Sequence, residues 1–261
     1  MQTGEVQQAL NLEEKTWYAM SLGDLTLYLQ QKGSELLTAT AYQSNDAPPL
    51  CQVLHPVEQL ADGVKIKERL YIGDPEEQYR IQLQLADKPY QVKTDTPIRI
   101  GPNGHLVLYV STPLWVQLIS TSGQVMSEYP AVSPRLSWVG SSTTEGALCY
   151  SSKSTAPADI TQVQRREHRA VTAMELVNSG TAPLSVERLS LPLNMLSLYY
   201  ASGEGFWTES VRFRIEPGSG ETTIVASAKP PLDIGEAKLI SEPRESGKSS
   251  RLKTAMNLIM G

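Results

Sequence analysis

Long apolar runs are absent from this sequence. The chain of 261 residues has no uninterrupted apolar stretch of ~18 residues, which is the length that a membrane-spanning helix needs. Its first twenty residues also lack the basic start and the apolar centre of a secretory signal. We therefore predict a soluble, cytoplasmic protein that does not insert directly into a membrane.

Basic residues are in slight deficit, since the formal net charge is -5. A nucleic-acid-binding domain usually has a basic excess, so the composition predicts no nucleic-acid partner. The sequence also lacks a Gly-x-Ser-x-Gly nucleophile elbow. The segment Gly218-Ser219-Gly220 has neither the lysine nor the following helix of a phosphate-binding loop and is typical of a turn. We expect no cofactor.

Cysteine and histidine are scarce too. Cys51 and Cys149 are too few for the disulfide framework of a secreted domain, which favours two reduced thiols. The three histidines lack the short paired spacings of metal ligands, so we predict no metal site; they are His55, His105 and His168. A nucleophilic pair of Cys149 and His168 is an alternative. The favoured interpretation of Cys149 is a small, inert, buried strand residue.

Alternating apolar and polar residues are plentiful. In Tyr79–Leu85 every second residue is apolar, and Leu25–Gln31 and His105–Ser111 repeat the pattern, which predicts strands with one buried face. Gly33-Ser34 fits a type II′ hairpin turn, because glycine tolerates the positive φ that this turn requires. Ser122-Gly123 can join another pair of strands.

Three segments leave alternatives open. Ala158–Ser179 has apolar residues at both helical and strand spacings, and we favour a strand over Ala170–Val177. Gln7–Lys15 fits a short helix or an edge segment. Glu242–Lys253 is polar and typical of a tether. The C-terminal end of the chain fits either a frayed tail or a short helix that docks on a partner, with one apolar face formed by Leu252, Met256 and Ile259.

The number of predicted strands exceeds what one common sandwich holds. We therefore predict an all-β protein with two packed β-sandwich-like domains and short helical ends. The prolines of Glu128–Pro134 suggest a linker. The predicted boundaries give an N-terminal β domain at 1–130, a C-terminal β-sandwich domain at 131–241, and a polar tether with a short helical tail at 242–261.

An ordered series of short motifs runs through the centre and the C-terminal part of the chain. It consists of Pro113-Leu-Trp-Val116, Ser137-Trp-Val-Gly140, Gly146-Ala-Leu-Cys-Tyr150, His168-Arg-Ala-Val-Thr172, Asn178, Leu184-Ser-Val-Glu-Arg-Leu-Ser-Leu-Pro192 and Trp207-Thr-Glu-Ser-Val211. This series, within Pro97–Ile215, resembles the prokaryotic domain-of-unknown-function family 432. The resemblance implies no established activity and supplies no catalytic residues. Members of that family are encoded near small-conductance mechanosensitive channels, so the resemblance suggests a membrane-associated assembly.

The densest basic cluster lies at Arg165-Arg166-Glu167-His168-Arg169. A guanidinium group can bind one carboxylate or phosphate through two parallel hydrogen bonds. The candidates for binding an acidic partner are therefore Arg165, Arg166, His168 and Arg169. The alternative is a solvated loop whose arginines pair with nearby acids. Trp207 follows the loop-like Gly203–Phe206 and is a candidate exposed interface anchor.

Three functions are compatible with these features. We favour a non-enzymatic protein–protein interaction module or accessory subunit, whose partner is another protein, including a membrane-bound one, or a second copy of the chain. The first alternative is a carbohydrate- or small-ligand-binding protein that uses exposed tryptophan and tyrosine. The second alternative is a hydrolase with a dispersed active site. Fold alone does not choose among them, because β-sandwiches have many functions.

Overall fold

The alternating segments form β-strands. The computed structural model describes residues 9–43, 50–72, 78–140, 146–154, 156–215 and 222–245. Within these ranges the extended elements are strands and the helices are single 3-10 turns, so the predicted all-β class is confirmed. No helix in the described ranges is long and apolar enough to cross a membrane.

The strands are numbered in chain order: β1 (Trp17–Gly23), β2 (Leu25–Lys32), β3 (Glu35–Tyr42), β4 (Leu50–Val57), β5 (Ile66–Tyr71), β6 (Tyr79–Gln84), β7 (Tyr90–Ile100), β8 (His105–Pro113), β9 (Trp115–Ser120), β10 (Val125–Pro130), β11 (Arg135–Gly140), β12 (Gly146–Ser154), β13 (Arg169–Asn178), β14 (Leu184–Leu191), β15 (Leu198–Ala201), β16 (Gly205–Trp207), β17 (Val211–Ile215), β18 (Thr222–Ala226) and β19 (Ala237–Ser241). The 3-10 turns are Ile160–Gln162, Leu193–Met195 and Leu232–Ile234.

The first compact unit combines Met1–Gln84 with Pro113–Ser133. It contains a five-stranded sheet in the order β4-β1-β2-β3-β5 and a three-stranded sheet in the order β10-β9-β6. The predicted face of β2 is confirmed, because Leu25, Leu27 and Leu29 are all buried. Gly33 has a φ of 58° in the two-residue turn between β2 and β3, as the predicted turn requires.

A buried tyrosine joins the two sheets of this unit. Tyr129 on β10 is fully buried, and its hydroxyl lies 2.8 Å from Glu68 Oε2 on β5 and 2.9 Å from Thr38 Oγ1 on β3. Burial is the main cause that raises the pKa of Tyr129 to about 12, so the hydroxyl keeps its proton and donates it to one of these two oxygens at a time. The Lys67 ammonium lies over the Tyr129 ring, 4.9 Å from its centroid, in a cation–π contact.

The second unit combines Leu85–Thr112 with Pro134–Gly261. Its four-stranded sheet has the order β11-β12-β7-β14, with β12 and β7 parallel. Its seven-stranded sheet has the order β18-β17-β13-β16-β15-β19, and β8 also pairs with β13. This grouping differs from the sequence-based boundary at residue 130, because β7 is hydrogen-bonded between β12 and β14.

One buried asparagine ties two turns of the second unit together. The amide nitrogen of Asn178, at the end of β13, lies 3.1 Å from Ile100 O, 2.9 Å from Gly101 O and 2.9 Å from Ala182 O. Its amide oxygen accepts from the backbone N–H of Gly180 at 3.0 Å. The side chain thereby holds the β7–β8 turn against the β13–β14 turn, and satisfying a buried amide in this way avoids a desolvation penalty.

The structure resolves some of the segments for which the sequence allowed more than one secondary structure. The strand interpretation of Ala170–Val177 is confirmed by β13. Near the N-terminus, Ala9 bridges Arg80 and the N–H of Leu10 donates to Tyr79 O at 2.6 Å, so these two residues lie along β6 as an edge segment. The predicted turn at 218–220 and the predicted helical tail after residue 245 lie outside the described residues.

The Tyr129 bridge predicts a measurable loss of stability in Tyr129→Phe. We expect the free energy of unfolding to fall by about 1–3 kcal/mol, because buried Thr38 and half-buried Glu68 lose a hydrogen-bond partner. Urea denaturation measures the change. Tyr71→Phe is the matched control, since Tyr71 is exposed and its loss of a hydroxyl should have little effect. Equal effects of the two substitutions would contradict a stabilising role of the bridge.

Candidate functional site

The predicted basic segment is a surface loop that leads into β13. Arg165 and Arg166 are exposed, and the loop follows the 3-10 turn Ile160–Gln162. Ile160 and Val163 pack against the buried cluster that contains Trp207. These apolar contacts anchor the base of the loop, so its position is set by the core of the unit.

The three arginines of this loop have different partners. Arg165 Nη2 forms an ion pair with Glu204 Oε2 at 2.6 Å. Arg169 donates from Nε to Ser111 Oγ at 3.0 Å and from Nη2 to Ser111 O at 2.6 Å, so its guanidinium is held against β8. Arg166 Nη2 donates to the neutral Gln164 Oε1 at 2.7 Å. The cluster therefore does not present three equivalent cations to a ligand.

His168 lies beneath the loop and is buried. Desolvation of the imidazole, followed by the nearby charges of Arg169 and Arg166, lowers its pKa from 6.5 to about 4, and Glu167 opposes this shift. The side chain is thus neutral near pH 7. It therefore adds no positive charge to the arginines of the loop.

Trp207 is not the exposed anchor that the sequence predicted. Its side chain is 0% exposed, and its Nε1 donates to Glu204 O at 3.0 Å. Tyr109 meets the indole edge to face at a centroid distance of 6.3 Å. The prediction was wrong because the glycine-rich turn feeds directly into β16, which lies between β13 and β15 inside the sheet.

The thiol of Cys149 is poorly suited to nucleophilic attack. Cys51 and Cys149 are not joined by a disulfide. Cys149 on β12 is buried, and desolvation raises its pKa despite a hydrogen bond with Ser137. A protonated, buried thiol is a poor nucleophile. Among the described residues, no group of three or more His, Cys, Asp or Glu side chains is arranged to hold a metal ion.

An apolar surface that the sequence reasoning missed lies on β11 and β12. Leu136 is 64% exposed, Trp138 is 45% exposed and Leu148 is 51% exposed. Trp138 and Leu148 are directly opposite in the antiparallel register, and Leu136 lies two residues from Trp138 on the same face. We name these three residues the edge patch, because β11 is the last strand of its sheet among the described strands.

The same sheet face becomes buried and polar beside the edge patch. Tyr150, which is opposite Leu136, is buried and donates to Asp87 Oδ1 at 2.7 Å. Burial alone would raise the pKa of Asp87, but hydrogen bonds from Lys88 and Tyr150 outweigh it and lower the pKa. The Lys88 ammonium lies 5.4 Å from the Tyr150 ring centroid. These contacts hold β12 firmly where it supports β11.

Two other terminal strands, β5 and β10, carry more of the features that discourage strand pairing than β11, whose one charged residue is Arg135 at its start. β5 has the consecutive charged residues 67–69. β10 contains Glu128, ends on Pro130 and shifts register against β9. By contrast, Leu136–Val139 has no charge and no proline, and its register with β12 is continuous. Charges, prolines and bulges are the usual protection of an edge strand, so β11 has less of this protection than β5 and β10.

The buried imidazole predicts that stability depends on pH. Because the unfolded chain binds a proton at His168 near pH 6.5 and the folded chain only near pH 4, this contribution to stability is complete above pH 6.5 and is lost as the pH falls toward 4. We expect a loss of about 1–2 kcal/mol between pH 7 and 5. Urea denaturation at both values measures it.

The control for this prediction is His55→Gln, which should keep the dependence, whereas His168→Gln should weaken it. If the His168 substitution prevents folding, the imidazole can be titrated by NMR in the unchanged protein. A His168 resonance that titrates at the value of a free histidine would contradict the buried, neutral state.

Burial of Cys149 also predicts slow chemical modification. In the native protein, a thiol reagent should label Cys51 before Cys149, because only the latter is both fully buried and raised in pKa. Mass spectrometry of timed samples measures the two rates. Cys149→Ala should remove the slow phase alone; rapid labelling of Cys149 in the folded protein would contradict this assignment.

Comparison with known proteins gives one match. Neither curated proteins nor solved structures match this chain. The model of the family described as "Protein of unknown function (DUF432)" matches residues 8–260, which is nearly the whole sequence. This match extends the resemblance at the central motifs to both β units. The chain belongs to the DUF432 family.

Proposed function

We propose that this protein is a non-enzymatic protein-binding module whose docking surface is the edge patch. The observation that supports the proposal is the exposure of Leu136 and Trp138 on the terminal strand β11 beside Leu148 on its neighbour β12. Single exposed apolar side chains are ordinary on protein surfaces, whereas adjacent ones indicate an interaction site. Tryptophan is also the residue type most enriched among the residues that dominate binding energy.

The side chains best suited to catalysis have structural roles instead. Cys149 is buried with a raised pKa, and His168 is buried with a lowered one. Glu209, a buried acid of the seven-stranded sheet unit, accepts from the backbone N–H of Ser197 at 2.8 Å. Each of these groups is engaged within the fold, which favours binding over catalysis.

The basic loop provides a second, weaker element of the proposal. Arg166 is exposed, and among the described residues it forms no ion pair. Arg165 shares its charge with Glu204, and Arg169 and His168 are held by the fold. We propose that Arg166 supplies a salt-sensitive contact to an acidic protein surface, which steers association more than it strengthens binding.

The partner that fits these features is a protein with an apolar site and acidic surroundings. Such a partner could be the membrane-bound component of an assembly, in which case this chain would act as an accessory subunit. The contacts proposed require no insertion into lipid, because both the edge patch and the basic loop bind protein surfaces.

The test compares partner recovery by tagged wild-type and variant proteins from an extract of cells that produce the protein naturally. Trp138→Ser and Leu148→Ser should each reduce recovery tenfold or more, since a tenfold loss corresponds to about 1.4 kcal/mol and burying one such side chain contributes about 1.5–3 kcal/mol. Leu232→Ser is the matched control, because Leu232 is 90% exposed and lies outside the edge patch.

Arg166→Ser provides a separate arm of the same experiment. It should reduce recovery at low salt and have little effect at high salt, because exposed charges are screened. The midpoint denaturant concentration of unfolding should be the same for all variants as for the wild type, which would establish that the fold is intact. Equal recovery by the wild type, Trp138→Ser and Leu148→Ser would show that the edge patch is not the docking surface.

A further inference from the structure

Among the strands that the structure describes, β11 is terminal in its sheet, and its outer edge has no strand neighbour. Adding a strand to the terminal strand of a sheet is a common mode of recognition. We propose that the occupant is a second copy of this chain, whose β11 pairs antiparallel with β11 of the first copy about a two-fold axis at Ser137. This inference rests on the edge patch being the docking surface of the proposed function.

The sequence of β11 is complementary to itself in one register. When Ser137 lies opposite Ser137 of the second copy, Leu136 lies opposite Trp138, and Trp138 lies opposite Leu136. Directly opposite residues of an antiparallel pair share a face and have Cβ atoms ~4.5–5.5 Å apart. Two leucine–tryptophan contacts therefore form by symmetry. Moving the axis by one residue to either side leaves Trp138 opposite itself or opposite Pro134 and breaks these contacts.

The charges of β11 agree with the same register. Arg135 is the single charged residue of the strand, and pairing about Ser137 sets it opposite Val139 of the second copy. The two arginines are then separated by four residues along the sheet, or ~13 Å at ~3.3 Å per residue. This distance exceeds the screening length at physiological salt. The pairing thus brings no like charges together at its centre.

Two-fold pairing uses the same surface on both copies and closes the assembly at a dimer. The two four-stranded sheets become one continuous sheet, and Leu148 on β12 extends the apolar contact behind each Trp138. The geometry favours a second copy over an unrelated strand, because each half of the contact already contains the complement of the other.

The first experiment measures the oligomeric state of the full chain by sedimentation velocity at about 1, 10 and 100 µM, a range that covers affinities of the weaker protein interfaces. We expect the wild type to shift from monomer to dimer across this range. Trp138→Lys should raise the dissociation constant at least tenfold, because it places a charge in each apolar pair. Leu232→Lys, at an exposed leucine elsewhere, should dimerise as the wild type does.

The second experiment tests the register with two variants, both carrying Cys51→Ser to remove the less buried native thiol. Leu136→Cys and Trp138→Cys are oxidised separately and as an equal mixture. Only in the mixture does the proposed register bring the two new thiols opposite each other, within the Cα separation of ~4.4–6.8 Å that a disulfide allows. One leucine–tryptophan contact is retained in that mixed dimer. We expect the crosslinked dimer mainly in the mixture.

The outcomes separate this inference from the proposed function. A wild type that remains monomeric at 100 µM overturns pairing with a second copy, and so does equal dimerisation of Trp138→Lys and the wild type. Crosslinking of either cysteine variant alone as efficiently as the mixture overturns the register about Ser137. In each case, loss of partner recovery by Trp138→Ser would still support the edge patch as a surface for a different protein.

Discussion

The central strand β7 determines which parts of the second unit are covered. It lies parallel to β12 on one side and antiparallel to β14 on the other, so both of its hydrogen-bonding edges are occupied. Because β7 takes the inner edge of β12, β11 can pair only on the outer edge. The exposed position of β11 is therefore a direct result of pairing between strands that are far apart in the sequence.

Local patterns were sufficient to identify many strands but could not identify their neighbours. Two such signals are the alternation in Tyr79–Gln84 and the glycine of the β2–β3 turn. Each depends only on residues that are adjacent in the sequence, so it can be recognised without knowing the fold. The pairing of β7 depends on residues that come much later, and nothing in the β7 sequence specifies them. For this reason the sequence assigned Leu85–Thr112 to the N-terminal domain, whereas hydrogen bonding groups it with the second unit.

In the candidate site too, the sequence identified the side chains but not their neighbours in space. The basic cluster is visible as a run of charges, but its partners, Glu204 and Ser111, come from other strands and turns. Trp207 was misassigned because a glycine-rich segment is typical of loops and also of tight turns inside a sheet. The exposed Trp138 could not be recognised, because alternation separates two strand faces without indicating which one meets solvent.

The contacts of Asn178 also affect the chemical durability of the protein. Asparagine deamidates when the backbone nitrogen of the next residue attacks the side-chain amide carbon and closes a five-membered ring. Here that nitrogen belongs to Ser179 and donates to Ile215 O at 3.0 Å, while the amide itself is fixed by its four hydrogen-bond partners. Ring closure would require both sets of bonds to break, so the folded state shields this asparagine from spontaneous ageing to aspartate.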